Sequence, residues 1–274
     1  MNWPSINGIN FSELNSPLMA NKQRNDPINK KFYAPLRMLD AIGDWVFYFS
    51  VAISLAVVFT LRSKYPEWYD REQMMFVVSV IMGFVIALTS RLYLTPRAID
   101  ARRMEFLSKG YDVPLSHEKT QDYYNNYEPP GTRRIAAQAL ENAFFSKSIA
   151  LKMIVLERIK VLAAIVIFIL LVREPDLGLA SIAAVTIFGE QIIIKYVRLE
   201  LFRVRSENTY NRLFELFTDN PVEKIFQTKA IDNFCYYETG KAIAGVYLSD
   251  KIFKKLNEDL SEEWQRIKMT LNIQ

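Results

Sequence analysis

Hydrophobic residues in this chain gather into four long runs. Residues 45–61 read WVFYFSVAISLAVVFTL between Asp44 and Arg62, and residues 74–90 read MMFVVSVIMGFVIALTS up to Arg91. Residues 161–172 read VLAAIVIFILLV between Lys160 and Arg173, and residues 177–189 read LGLASIAAVTIFG up to Glu190. A helix that crosses a bilayer needs about 20 mostly apolar residues. The first two runs meet that need alone. The third meets it when 153–160 joins, bringing Glu157, Arg158 and Lys160 near one end, and the fourth when its helix continues through Glu190 to Ile194. The alternative for the last two is a buried helical hairpin of a soluble core. Two strong spans already place the chain in a membrane, so four transmembrane helices are expected.

The helical period continues outside these runs. Beyond Ser90 the text RLYLTPRAIDARRMEFLSKG predicts a helix with a kink at Pro96 and a stop at Gly110. Pro129, Pro130 and Gly131 break the chain, and from Thr132 one helix runs into the third span. After the fourth span no Pro or Gly occurs until Pro221, and Val197, Leu201, Val204, Leu213 and Phe217 keep a helical spacing. Arg198, Arg205 and Arg212 fall seven apart and share one face. In the tail, Gly240 and Gly245 are candidate breaks. Ile252, Leu256, Leu260, Trp264 and Ile267 form the stripe of an amphipathic helix that Ser249 or Asp250 caps. That stripe is expected on the bundle or on a neighbouring subunit rather than on the membrane surface. The fold expected is an all-α membrane protein with four transmembrane helices in two hairpins, extended into a cytoplasmic helical bundle. Its segments are 1–40 (N-terminal, cytoplasmic), 41–95 (first hairpin), 96–152 (cytoplasmic insertion), 153–196 (second hairpin) and 197–274 (helical tail).

Charge sets the orientation. The links 62–73 and 173–176 hold three and one Lys or Arg, whereas the N-terminal segment holds five, 91–152 ten and the tail thirteen. Both termini and the insertion are therefore expected on the cytoplasmic side, with the protein multi-pass in the membrane. Trp68 and Tyr69 suit the outer interface. The first 40 residues carry no apolar run of the kind a cleavable signal needs. The first 35, rich in Asn, Ser and Pro, plug, cap or trail.

Composition narrows the chemistry. One cysteine and one histidine exclude a classical zinc site, and no cofactor is expected. No Walker loop, GxSxG, HExxH or paired-cysteine motif occurs, so the chain is not expected to be an enzyme. His117 reads as an exposed loop residue, Cys235 as a small core residue, and Glu141 as a surface or pairing residue.

Polar residues inside the spans say more. Ser50 and Ser54 lie four apart on the first span, as do Ser79 and Gly83 on the second, where small residues permit close helix contact. Ala180, Ser181, Ala183, Ala184, Thr186 and Gly189 make one surface of the fourth span small. Glu190 lies at membrane depth, where ionisable groups pair or face water, or at the inner interface beside Lys195 and Arg198. Four spans leave little room for a solute path within one subunit, but a closed ring places equivalent helices around an axis. Ser50, Ser54, Ser181, Thr186 and Glu190 are the candidate pore-lining residues, with the fourth or the first span facing the pore. In the insertion, Arg102, Arg103, Lys109, Tyr123, Tyr124, Arg133 and Arg134 interleave bases with aromatics, a pattern suited to phosphates and nucleobases. Basic residues near the membrane face equally serve topology or touch anionic lipids. Arg133 and Arg134 lie farther out, roughly 30 Å along a continuous helix from the third span.

The segments RRMEFLSKGYDVPLS, YYNNYEPPGTRR and LENAFFSKSIALKM, together with the two-hairpin layout, resemble four-span membrane effectors of bacterial anti-phage systems. Those effectors are paired with nucleotidyltransferase-like enzymes, and the text is similar to the Hailong effectors. The resemblance covers the region from the second span to the third. It implies a homotetrameric ion channel in the inner membrane, controlled by a nucleotide or single-stranded DNA oligomer bound on the cytoplasmic side. Opening would depolarise the infected cell, an abortive defence, and bound ligand would hold the channel shut. The alternative from the residues alone is a non-conducting membrane adaptor that recruits a cytoplasmic partner through the insertion and tail.

Overall fold

The computed structural model describes residues 26–118, 120, 124, 126–172 and 179–274, with the backbone alone at 58, 59, 167, 168, 170–172 and 179–191. Among the described residues all regular secondary structure is helical. A π-helical turn, Asn29–Tyr33, leads into α1 (Ala34–Phe59). Then α2 (Pro66–Leu88) passes through a second π segment, Thr89–Leu94, into α3 (Thr95–Tyr111). Four more helices follow: α4 (Thr132–Val172), α5 (Leu179–Asp219), α6 (Glu223–Ala244) and α7 (Asp250–Leu271).

Two segments, Asn29–Val57 and Pro66–Tyr111, are long and apolar enough to cross a membrane. Only 17% and 11% of their most apolar windows is buried inside the chain, so they are not the core helices of the fold. Trp45 is 77% exposed, Met74 71% and Phe84 63%. α1 and α2 pack on each other, but an element apolar on all sides covers only one face that way. The apolar half of α4 also leaves Leu156, Ile159, Leu162 and Val166 exposed.

The polar halves of the long helices behave differently. α4 is the spine: α5 and α6 lie along it, and α3 and α7 close its other sides. Small side chains make this possible, since Ala136, Ala137, Ala139 and Ala143 are fully buried on α4 and admit close neighbours. One core cluster joins Phe106, Leu140, Phe144, Leu213, Phe226 and Trp264. A second, nearer the apolar end, joins Ala150, Ile154, Leu199, Phe202 and Tyr237. The stripe of α7 delivers Leu260, Trp264 and Ile267 to the core, and Trp264 stacks on Phe144 with ring centroids 6.2 Å apart.

Several local readings of the sequence hold and others change. α4 begins at Thr132, directly after Gly131 at φ 148°. Ser249 caps α7 by accepting the Ile252 amide at 3.4 Å. α6 ends at Gly245, whose φ of 54° is the left-handed cap. The helix runs through Pro96, with the π segment Thr89–Leu94 directly before it and α2 continuing into α3. Gly110 is not the stop. α3 runs on to Tyr111 and Asp112 takes the left-handed cap at φ 55°. Gly110 is buried because a Cβ there would meet Ile135 Cγ1 at 2.8 Å. Its role is close approach of α3 to α4.

Trp264→Ala is expected to cost about 3–5 kcal/mol, the range for truncating a fully buried aromatic. Met269→Ala on the exposed face of α7 is expected to stay within about 0.5 kcal/mol. Thermal unfolding of the detergent-solubilised protein reads both.

Candidate functional site

A cavity of about 520 Å³ lies where the apolar hairpins meet the bundle. On α1, Asp40, Asp44, Phe47 and Ser50 recur at helical spacing and line it together. α2 contributes Ser79 and Gly83, and α4 and α5 bring Glu157, Lys195 and Arg198 from the opposite side. The hydroxyls of Ser50 and Ser79 lie 2.8 Å apart, and each also reaches a carbonyl of its own helix, Val46 and Phe76. A hydroxyl pair between two apolar helices thus has its bonding capacity met within the hairpin. Lys195 Nζ donates to both Asp44 carboxylate oxygens at 3.3 Å, tying α5 to α1. Glu157 is buried and accepts from Lys160 at 2.9 Å. Ser90 leans toward Asp40 at 3.5 Å.

The cavity borders the joint between hairpin and bundle. Tyr247, in the loop from α6 to α7, hydrogen-bonds the Thr95 hydroxyl at the start of α3. Its ring meets Tyr33 edge-on at 5.9 Å. Arg37 at the foot of α1 pairs with Asp250 at the start of α7 at 3.0 Å. Burial pushes the Tyr247 phenol up to about 12, and the Thr95 hydrogen bond offsets only part of that.

Among the described residues, Arg102, Arg103, Tyr124, Arg133 and Arg134 of the insertion each meet different partners. Arg102 is buried, pairs with Asp26 at 2.6 Å and lies 5.5 Å from the Tyr33 ring centroid. Arg103 points away and pairs with Asp100 on its own helix at 3.0 Å. Arg133 donates to Asn220 at 2.9 Å, pairs with Glu128 at 3.5 Å, and sits 5.1 Å from both Phe217 and Phe226. Arg134 donates to the carbonyls of Glu128 and, at 3.1 Å, of Lys109. Tyr124 packs edge-on against Phe106 at 5.6 Å. Arg102, Arg133 and Arg134 therefore hold the bundle together. Tyr123 and the side chains of Ser181, Thr186 and Glu190 lie outside the described residues. Ser54 is half-buried on the hairpin but does not line the cavity.

Sequence reasoning passed over Asp40, Asp44 and Tyr247. The first two carry a legible signal, two acids four apart on the face of an apolar helix that also holds Ser50. Tyr247 carries none, because its role depends on where a loop lands. His117 is exposed, as expected of a loop residue. Cys235 is exposed rather than a core residue: on α6 it points outward while Phe234 and Tyr237 fill the inward positions. Glu141 is not on the surface but 4% exposed within the bundle, near Lys268, whose pKa burial lowers against the pull of Glu141. Among the described residues no group of three or more His, Cys, Asp or Glu could hold a metal ion. No protein-family model, curated protein or solved structure matches the chain.

Arg134→Ala leaves two carbonyls without a donor and is expected to cost about 1–3 kcal/mol. Hydrogen exchange should accelerate in the loop before α4. Tyr247 holds its proton more tightly folded than unfolded, so its contribution is complete below pH 10 and fades as pH rises toward 12. Tyr247→Phe is therefore expected to flatten the alkaline loss of Tm between pH 10 and 12.

Proposed function

We propose that the chain is one subunit of an oligomeric, ligand-gated membrane channel that acts as a depolarising effector in anti-phage defence. In this reading both hairpins cross the inner membrane, the termini and bundle lie in the cytoplasm, and four subunits close the ring. The observation that supports it is the cavity of about 520 Å³ at the base of the apolar hairpins, walled by Asp40, Asp44, Glu157 and Lys195. Ionisable groups beside membrane-spanning helices are costly, and persist where they pair or face water. Ser50 and Ser79 carry the polar lining further into the hairpin. Repeated around an axis, one such face per subunit makes a path from groups that a single chain leaves half-covered.

Gating follows from the joint. The α6–α7 loop touches the foot of α1 and the start of α3 through Tyr247, so a rearranged bundle moves the hairpin. A ligand shifts this balance only by binding one arrangement more tightly than the other. The sequence resemblance supports a nucleotide or DNA oligomer made by a partner nucleotidyltransferase, with bound ligand holding the channel shut.

Planar-bilayer recordings test the reading. Purified protein is expected to give discrete conductance that a short DNA oligomer or nucleotide alters. Asp44→Asn is expected to change single-channel conductance while leaving subunit number as it was. Absence of flux under every ligand and lipid condition would replace the channel with the non-conducting adaptor.

A further inference from the structure

The heptad-spaced arginines of α5 divide in the structure. Arg198 faces the junction cavity, while Arg205 and Arg212 turn toward α6. Their guanidinium carbons lie 4.4 and 4.7 Å from the centroid of one ring, Tyr236. One turn further along α6, Gly240 is buried against Arg205, and a Cβ at Gly240 would stand 2.8 Å from Arg205 Cδ. The missing side chain is what lets the arginine stem lie flat against the helix. Neighbouring Arg203 is different, held by Glu200 at 2.7 Å and Glu207 at 2.6 Å. Among the described residues Arg205 and Arg212 have no carboxylate within ion-pair distance. Two like charges are thus held beside one half-buried ring, whose face attracts each of them.

We infer that the surface where α5 meets α6, around Tyr236, binds a soluble ligand carrying two or more linked phosphates, held by Arg205 and Arg212. The planar guanidinium presents a donor fork that matches phosphate oxygens, and an anion between the two removes their mutual repulsion. Both guanidinium carbons lie within 4.7 Å of one ring centroid, so they are at most about 9 Å apart, a gap that two linked phosphates bridge with one phosphate on each donor fork. Both guanidiniums lie against Tyr236, so recognition falls on the phosphates rather than on a stacked base. A lipid headgroup is too far away. Arg205 and Arg212 stand roughly 16 and 27 Å along α5 beyond Ile194, whereas the headgroup layer adds only about 5–8 Å to each side of the hydrocarbon. The inference is independent of conduction, because binding alone reads it.

Cys235 makes the test direct: it is the single cysteine, exposed, and next to Tyr236. Full-length protein in detergent, labelled there with an environment-sensitive fluorophore, is titrated with inorganic tripolyphosphate, a 12-nucleotide thymidine oligomer and inorganic phosphate. Saturable binding is expected for the first two, with inorganic phosphate at least tenfold weaker. Arg205→Gln and Arg212→Gln are each expected to weaken binding by about tenfold or more and to lower the salt slope by about one. Arg203→Gln should bind as wild type. Arg205→Lys preserves charge and packing but not the fork, and is expected to fall between wild type and Arg205→Gln. Calorimetry on unlabelled protein repeats the measurement. No saturable binding by tripolyphosphate or the oligomer overturns the site, as does equal binding by the Gln variants. A double Gln variant that changes oligomer size with binding undisturbed also overturns it, and reassigns the surface to a contact between copies.

Discussion

The structure depends on one constraint: a helix that is apolar on every side has no inward face. α1, α2 and the far half of α4 are built this way, and many of their large side chains stay exposed, Trp45, Met74, Phe84 and Leu162 among them. The near halves of α4 and α5 have a defined inward face, Ala136, Ala137, Ala139 and Ala143 on α4 and Leu213, Leu216 and Phe217 on α5. The change falls within single helices, so the same backbone serves two surroundings. Around Leu151 the packed spine gives way to exposed Val155, Leu156 and Ile159. Of the polar residues in the apolar part, Ser50, Ser79, Asp40 and Asp44 line the seam where the two surroundings meet.

That seam is also where distant parts of the chain are fastened. Asp26, Lys31, Tyr33 and Arg37, close together before and within α1, reach Arg102, Glu118, Tyr247 and Asp250. Partners separated by more than 200 positions, such as Arg37 and Asp250, join the first helix to the last. The loop before α4 is fixed in the same manner. Tyr127 donates its amide to the Gln274 carbonyl at 2.6 Å, and the Gln274 amide donates to Glu128 at 3.1 Å. Contacts of this kind organise the bundle by tertiary placement rather than by local sequence.

This explains what the sequence reveals. Breaks with a local cause are legible: Gly131 before Thr132, Ser249 capping α7, Gly245 closing α6. Glycine inside a helix is not, because a helix stop and a close approach use the same residue. Gly110 and Gly240 both look like breaks and both lie inside helices, one against Ile135 and one against Arg205. The outward turn of Cys235 was hidden by its aromatic neighbours, since Phe234 and Tyr237 share one face of α6 and Cys235 sits on another. The four-residue spacing of Ser50 with Ser54, and of Ser79 with Gly83, marks faces where α1 and α2 can approach closely, and Ser50 and Ser79 meet at 2.8 Å. The partners of Arg133 and Arg134 are not legible either, because their acceptors come from Asn220, Glu128 and Lys109, which folding alone brings near.

α4 and α5 each run 41 residues without interruption, about 60 Å of helix. A helix of that length resists bending over most of its span, so it transmits angle rather than absorbing it. Tilting one such beam by one degree about its packed end displaces the far tip by about 1 Å. A change of packing around Trp264 that tilts either helix would therefore be amplified at the apolar tips in proportion to its length.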